Sequence, residues 1–288
     1  MNAIQYQTKQ VDDVEVFYRE AGDRNTPTLL LLHGFPTSSH MYRQVIPLLA
    51  EHFHVVAPDL PGFGYTKAPP RGQFAYTFDN LYRTLHRFTE ALQLQRYALY
   101  VFDYGAPVGF RLAAAAPEKI TAIISQNGNA YEEGLLGAWD PIRAYWEQPT
   151  QANRDALRAF LTAEATAKYQ YFYGVPEHLK SRISPDALAH DQAILDRNPE
   201  IQLDLFGDYQ TNVALYPEWQ AYFRQHQPPL LAVWGQNDVF FGPDGARGYQ
   251  RDIPAASINF FDTGHFALET HSAEIADKMI EFLQQHLR

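Results

Sequence analysis

Two aspartates and one histidine follow short apolar runs in this sequence, at spacings that suit hydrolytic chemistry. Asp103 ends the run 97–102, and Asp238 and His265 follow later runs of the same kind. A carboxylate is ionised at neutral pH, so it can attack an electrophilic sp3 carbon directly. A histidine held by a second carboxylate can then take a proton from water. This order predicts Asp103 as nucleophile, Asp238 as orienting acid and His265 as base.

The surroundings of Asp103 predict a tight turn between a strand and a helix. Residues 97–102 have the pattern of a buried strand, and Pro107 suits the first turn of the helix that follows. Gly105 and Ala106 are small enough for a strained corner that holds the side chain at the strand end. An aspartate before a helix is commonly an N-cap, and the residue alone would be interpreted so. The later acid and histidine favour the nucleophile.

Strand and helix patterns alternate along most of the chain. This alternation predicts a mainly parallel sheet covered by helices on both faces, with ligands at the carboxyl ends of its strands. From 131 to 225 strand signals give way to Trp, Tyr and helix formers, which predicts a helical cap between core segments 1–130 and 226–288. The predicted strands are 14–18, 29–32, 55–57, 98–102, 122–126, 230–234 and 257–261, and the helices are 39–51, 78–92, 107–116 and 272–287.

Composition favours an ordinary soluble protein. The 288 residues include 23 Lys and Arg against 33 Asp and Glu, a net charge of -10, which disfavours nucleic acid and anionic membranes as partners. Cysteine is absent, and the histidines show no zinc-ligand spacing, so we expect no metal and no cofactor. No export signal or membrane-spanning run is evident, which makes a cytoplasmic location the default expectation. Monomer and homodimer both remain open.

Five short motifs occur in a fixed order along the chain. Together they resemble the α/β-hydrolase superfamily, and within it the branch of epoxide hydrolases and haloalkane dehalogenases that uses an aspartate nucleophile. The resemblance implies an α/β-hydrolase fold, with a mostly parallel eight-stranded sheet flanked by helices and a helical cap inserted after the sixth strand. The motifs are His33-Gly34-Phe35-Pro36, the segment 58–64 (PDLPGFG), the Asp103 elbow, the segment 235–238 (GQND) and Gly264-His265-Phe266.

The same resemblance implies further roles around the nucleophile. The backbone N–H groups of Phe35 and Tyr104 would form an oxyanion hole, and the peptide bond before Pro36 would be cis. His33 is expected to fix this loop by hydrogen bonding. In the family's serine esterases a GxSxG motif carries the nucleophile, and that motif is absent here.

The leaving group separates the two branches. A dehalogenase binds the halide with N–H donors, but the two positions that often carry Trp and Asn in the family hold Tyr104 and Phe35. Val101, two residues before the nucleophile, is apolar as in dehalogenases. An epoxide hydrolase needs hydroxyl groups over the departing alkoxide, and the cap is rich in tyrosine. Tyr169 and Tyr209 lie in segments that resemble those of the family's two cap tyrosines, with Tyr171, Tyr173 and Tyr216 as substitutes.

The sequence therefore predicts hydrolysis of a small to medium hydrophobic epoxide to a vicinal diol. A haloalkane or haloacid dehalogenase with an unusual halide site is the alternative, and a hydrolase-like ligand-binding protein is a further one. The residues predicted to form the substrate pocket are His33, Pro36, Trp139, Phe172, Phe206 and Phe266.

Overall fold

An eight-stranded sheet forms the centre of the protein in a computed structural model that describes residues 3–287. The spatial order is β1-β2-β4-β3-β5-β6-β7-β8; β2 is antiparallel to both neighbours, and the other pairs are parallel. The predicted mostly parallel sheet is confirmed. The strands are β1 (Gln5–Val11), β2 (Val14–Ala21), β3 (Thr28–Leu32), β4 (His54–Pro58), β5 (Tyr97–Phe102), β6 (Ile120–Gln126), β7 (Leu230–Gly235) and β8 (Ser257–Phe261).

The first strand is the one that the sequence pattern does not predict. β1 lies at the sheet edge, pairs with β2 and has the sequence QYQTKQV, most of which is exposed or half-buried. An edge strand of this kind lacks the apolar run that marks a buried strand. Its pairing partner, rather than its own hydrophobicity, supports it.

The central strands are buried on both faces of the sheet. Leu30 and Leu32 of β3 belong to one apolar cluster, whereas Leu29 and Leu31 belong to a second cluster on the opposite face. This follows from the alternation of side chains along a strand. Because both faces must be covered, these strands have continuous apolar sequences.

Helices cover the two faces. The predicted helix 78–92 begins at Phe78, where the Thr77 side chain accepts a hydrogen bond from Asn80 N at 3.3 Å. The predicted helix 39–51 is divided into a 3₁₀ turn and a short α-helix. The α-helices are α1 (Val45–Leu49), α2 (Phe78–Ala91), α3 (Gly105–Ala115), α4 (Asp140–Glu147), α5 (Gln151–Ala156), α6 (Ala163–Ala165), α7 (Pro185–Arg197), α8 (Pro199–Asp208), α9 (Gln210–His226), α10 (Pro243–Asp252) and α11 (Ala267–His286).

Shorter helical turns connect these elements. They include one π-helix, Thr166–Phe172, between α6 and α7. The 3₁₀ turns are Ser39–Tyr42, Pro117–Lys119, Glu132–Gly134, Gly137–Trp139, Leu157–Leu161 and Glu177–Arg182.

A helical insertion, which we define as residues 131–225, connects β6 to β7. It contains α4 to α8 and nearly all of α9, and its described residues form no β-strand. Aromatic side chains join it to the rest of the chain: the Trp139 ring lies 5.4 Å from Phe241, and the Tyr209 ring lies 5.4 Å from Phe78. The proposed core segments 1–130 and 226–288 remain a prediction. Within residues 3–287, no helix has both the length and the apolar character needed to cross a bilayer.

Candidate active site

Asp103 occupies a strained corner between β5 and α3. Its φ is 47°, in the left-handed region that a non-glycine residue rarely adopts. The turn is so tight that a Cβ atom on Gly105 would lie 2.1 Å from Leu32 O. The corner directs the buried carboxylate toward the loop that follows β3. There, Asp103 Oδ1 accepts hydrogen bonds from Phe35 N and Tyr104 N, each at 2.6 Å.

The second carboxylate and the histidine meet at the ends of β7 and β8. His265 Nδ1 lies 2.7 Å from Asp238 Oδ2, and both side chains are buried. Asp238 Oδ1 also accepts a hydrogen bond from Phe240 N at 2.8 Å. With its Nδ1–H directed at Asp238, the imidazole presents Nε2 toward Asp103.

Asn127 is a further part of this arrangement that the sequence did not assign. Its Nδ2 donates to Asp238 Oδ2 at 2.8 Å, and its Oδ1 accepts from Gly235 N at 2.9 Å. Asn127 follows β6 with a φ of 45°. The one feature of the sequence that points to this contact is the position of Asn127 at a strand end. The amide fixes the carboxylate that contacts His265.

A gap separates the histidine from the first aspartate. His265 Nε2 lies 3.7 Å from Asp103 Oδ2, which is too long for a hydrogen bond. Among residues 3–287, Nε2 has no hydrogen-bond partner. The free nitrogen and the free carboxylate oxygen therefore face each other.

Burial and mutual charge set the ionisation of this pair. Burial raises the pKa of Asp103 to about 6, although His265 and the two backbone N–H groups oppose it. Burial alone lowers the pKa of His265, but the charges of Asp238 and Asp103 outweigh it, so the pKa of His265 is raised. Above pH 6, Asp103 is mainly ionised and its negative charge favours the imidazolium form of the histidine.

His33 holds the loop that supplies one of the two backbone donors. Its Nε2 accepts a hydrogen bond from Leu60 N at 2.9 Å, so its Nδ1 carries the proton and donates to Gly34 O at 3.1 Å. Burial lowers the pKa of His33, which agrees with this neutral form. The Phe35–Pro36 peptide bond in the same loop is cis, as predicted.

A small cavity of about 20 Å³ lies against Asp103. This volume holds about one water molecule, so some of the lining side chains must move to admit a larger substrate. Of the six residues predicted to form the substrate pocket, Trp139 and Phe206 line this cavity. The other four, His33, Pro36, Phe172 and Phe266, are not among its lining residues. The lining consists of Phe35, Asp103, Tyr104, Trp139, Ile142, Phe160, Gln170, Phe206 and Phe240.

Four of these lining residues were not anticipated from the sequence. Phe240 follows Asp238 by two residues, and this proximity was the one available signal. Ile142, Phe160 and Gln170 belong to the insertion, where no motif distinguishes a lining residue from a packing residue. Their positions depend on how the insertion packs over the sheet.

The predicted leaving-group tyrosines lie outside the lining of this cavity. Tyr169 is half-buried, with Lys168 Nζ 4.7 Å from its ring centre. Tyr209 is fully buried directly behind the lining, with its ring 4.4 Å from Trp139 and 5.8 Å from Tyr104. The role of either tyrosine therefore stays a prediction.

The three substitute tyrosines have other surroundings. Tyr171 donates a hydrogen bond to Asp191, and Tyr216 Oη accepts one from Asn129 Nδ2 at 3.2 Å. Tyr173 is 47% exposed.

Tryptophan N–H groups near the cavity are already in use. Trp139 Nε1 donates to Phe240 O at 3.1 Å, and Trp146 Nε1 donates to Phe206 O at 2.7 Å. A halide at this site would have to compete with these two backbone carbonyls. Within residues 3–287, no group of three or more acidic or histidine side chains is arranged to hold a metal ion.

The fold and the site together define a hydrolase. The model of the family described as "alpha/beta hydrolase fold" matches residues 27–272, so the chain belongs to that family. An uncharacterised hydrolase of Saccharomyces cerevisiae is 45% identical over 280 residues, which is 96% of this chain and 95% of the relative. A haloalkane dehalogenase of Mesorhizobium japonicum is 38% identical over 288 residues, covering 95% of this chain and 89% of the relative.

Solved structures agree on the fold. The haloalkane dehalogenase DbeA from Bradyrhizobium elkani superposes with a TM-score of 0.76 at 21% identity, over 99% of each chain. A hydrolase from Pseudomonas aeruginosa superposes with a TM-score of 0.73 at 23% identity, over 98% of this chain and 99% of the other. At these identities, the likeness concerns the architecture alone.

Proposed function

We propose that the protein hydrolyses electrophilic sp3 carbon through a covalent ester on Asp103, with epoxides as the principal substrates. The observation that carries the proposal is the division of labour between the two carboxylate oxygens. Oδ1 accepts both backbone N–H groups at 2.6 Å, whereas Oδ2 faces His265 Nε2 across 3.7 Å. A nucleophile needs one free oxygen, and an ester needs its carbonyl oxygen stabilised.

In the first step, Asp103 Oδ2 attacks an epoxide carbon. A bond forms between Oδ2 and that carbon, the ring C–O bond breaks, and its electron pair stays on the departing oxygen. Oδ1 becomes the carbonyl oxygen of the new ester and keeps its hydrogen bonds from Phe35 N and Tyr104 N. The carboxylate needs no general base because it is already ionised above pH 6.

In the second step, water attacks the carbonyl carbon of the Asp103 ester. His265 Nε2 takes the water proton, and Asp238, 2.7 Å from Nδ1, stabilises the resulting imidazolium. Negative charge develops on Oδ1, where the two backbone donors receive it. The intermediate then expels the alkyl oxygen, which takes the proton from His265. The product therefore leaves with the former Oδ2 atom. Asp103 acquires an O–H group from water and loses that proton to solvent, which restores the carboxylate.

The charge of Asp103 changes the pKa of His265 between the two steps. In the free enzyme this charge contributes to the raised pKa of His265. Ester formation neutralises Asp103 and removes that contribution, so the pKa of His265 falls. The histidine is therefore driven toward its neutral, basic form when a base is required.

An epoxide is favoured as substrate because the usual halide donors are missing or occupied. The indole N–H groups of Trp139 and Trp146 already donate to backbone carbonyls. The departing alkoxide must also take up a proton. Tyr209, whose ring lies 5.8 Å from that of Tyr104, carries a hydroxyl group that could donate this proton close to the cavity. Tyr169 is the other candidate donor. Dehalogenation is the second candidate, because the haloalkane dehalogenase of Mesorhizobium japonicum is 38% identical over nearly the whole chain.

The first test offers purified protein a panel of terminal and aryl epoxides beside chlorinated and brominated alkanes, and follows diol and halide release. We expect diol formation, and its loss in Asp103→Asn. His265→Gln should trap the ester, which intact-mass analysis detects as an adduct that maps to Asp103. Halide without diol would replace the epoxide proposal with the dehalogenase, and absence of any adduct would refute the covalent mechanism.

A single turnover in ¹⁸O-labelled water tests the order of bonds more directly. The first product should carry ordinary oxygen at the attacked carbon, and the label should appear in Asp103. Label in the first product would mean that water attacks the substrate directly, with Asp103 as a general base.

A further inference from the structure

Gln170 is a buried polar side chain in an otherwise mainly apolar cavity wall. It is 5% exposed and lines the same cavity as Asp103, and its Oε1 has no hydrogen-bond partner among residues 3–287. Burial of an unpaired carboxamide oxygen is unfavourable. Such a group in a ligand cavity points to a hydrogen bond that is made when the ligand is present.

The backbone around Gln170 is unusual and firmly held. The residue belongs to the π-helix Thr166–Phe172, a conformation that is rare and frequent at functional sites. The next residue, Tyr171, donates to buried Asp191 and stacks on Phe266 with ring centres 4.4 Å apart. Since Phe266 follows His265 in the chain, these contacts tie the position of Gln170 to the catalytic loop.

The two walls of the cavity have different origins. The core supplies Asp103, and the insertion supplies Gln170 together with apolar residues such as Ile142 and Phe160. In a displacement at carbon, the leaving atom departs on the side opposite the nucleophile. A donor for that atom must therefore come from the insertion wall. Trp139, also on that wall, has already committed its N–H to Phe240 O.

We propose that Gln170 donates a carboxamide N–H to the leaving atom as its bond to carbon breaks. This inference rests on the proposed ester mechanism at Asp103. Rotation of the terminal amide exchanges its N–H and C=O ends, so either end can face the cavity. The carboxamide keeps its proton: a halide leaves as the ion, and an epoxide oxygen takes its proton from a hydroxyl donor or water. An epoxide oxygen and a halide can thus both accept a hydrogen bond from an N–H donor opposite Asp103.

The test compares Gln170→Met with Gln202→Met. Methionine keeps the shape of glutamine and removes its hydrogen-bonding groups. Gln202 is a matched control, because it is also fully buried in the insertion with an unpaired Oε1 but does not line the cavity. Rapid-quench mass spectrometry of single turnovers, with an epoxide and a bromoalkane, gives the rates of ester formation and ester hydrolysis separately.

We expect Gln170→Met to slow ester formation at saturating substrate about 100-fold, the effect of removing one donor to developing charge. The rate of ester hydrolysis and the substrate concentration giving half-maximal ester formation should stay within about twofold. Gln202→Met should match the wild type in both steps. Unchanged ester formation in Gln170→Met, or equal slowing of both steps, would overturn the role of Gln170 and leave the ester mechanism intact. Failure to form an ester in the wild type would instead refute the proposed function itself.

Discussion

Replacing Asp103 by Asn should stabilise the fold while it abolishes turnover. The carboxylate is buried, and its pKa is raised from 3.8 to about 6, mainly by burial. A raised carboxyl pKa means that the folded protein resists an ionisation that the unfolded chain accepts freely. Asn keeps an oxygen that can accept from Phe35 N and Tyr104 N, so the substitution removes the buried charge and preserves the two hydrogen bonds.

The size of the effect follows from the pKa difference. About two pH units correspond to ~3 kcal/mol of unfolding free energy at most. For a chain of 288 residues, this amounts to about 5 °C in melting temperature. The sign depends on pH. Below about pH 4 the carboxyl is protonated in both states and the variant has no advantage; the advantage grows between pH 4 and 6 and is complete above about pH 7.

Thermal unfolding of wild type and Asp103→Asn between pH 4 and 8, followed by circular dichroism, measures this dependence. Asp13→Asn serves as the control, because Asp13 is exposed in the turn between the edge strand β1 and β2. A variant that is no more stable than wild type at pH 8, or that gains equally at pH 4, would show that burial of the Asp103 charge does not destabilise the fold.

Three further predictions concern the same machinery. The rate of ester formation should fall about tenfold per pH unit below pH 6, because protonation removes the Asp103 nucleophile; a flat single-turnover profile from pH 7 to 4.5 would contradict this. Asn127→Ala should slow ester hydrolysis about tenfold and ester formation much less, since it removes a hydrogen bond from Asp238, the carboxylate that orients His265. Equal slowing of both steps in a quench-flow experiment would contradict this. Gly105→Ala should lower the free energy of unfolding by about 3 kcal/mol, because the added Cβ would lie 2.1 Å from Leu32 O. In the control Gly137→Ala, the nearest atom would lie 3.6 Å from the added Cβ, so this variant should have the melting temperature of the wild type.

The contrast between the central sheet and the insertion shows how far sequence patterns reach. The run 97–102 and the small residues after Asp103 predict the elbow, because a buried strand requires apolar residues and a tight turn requires small ones. The same patterns do not predict β1, since this largely polar edge strand is stabilised by its pairing with β2. In the insertion, the π-helix changes the angle between successive side chains, so a 3.6-residue period cannot tell whether Tyr169 or Gln170 faces the cavity.

The alternating pattern of strands and helices is enough to predict the mainly parallel sheet and to place Asp103, Asp238 and His265 at one edge of it, because parallel strands bring residues at their carboxyl ends together. Which polar groups remain free at that edge depends on tertiary contacts. The tertiary structure directs Asn127 to Asp238 and leaves Gln170 Oε1 unpaired in the cavity that Asp103 also lines. Hydrogen bonds between residues far apart in the chain depend on how the insertion packs over the core, and no local pattern in the sequence encodes that packing.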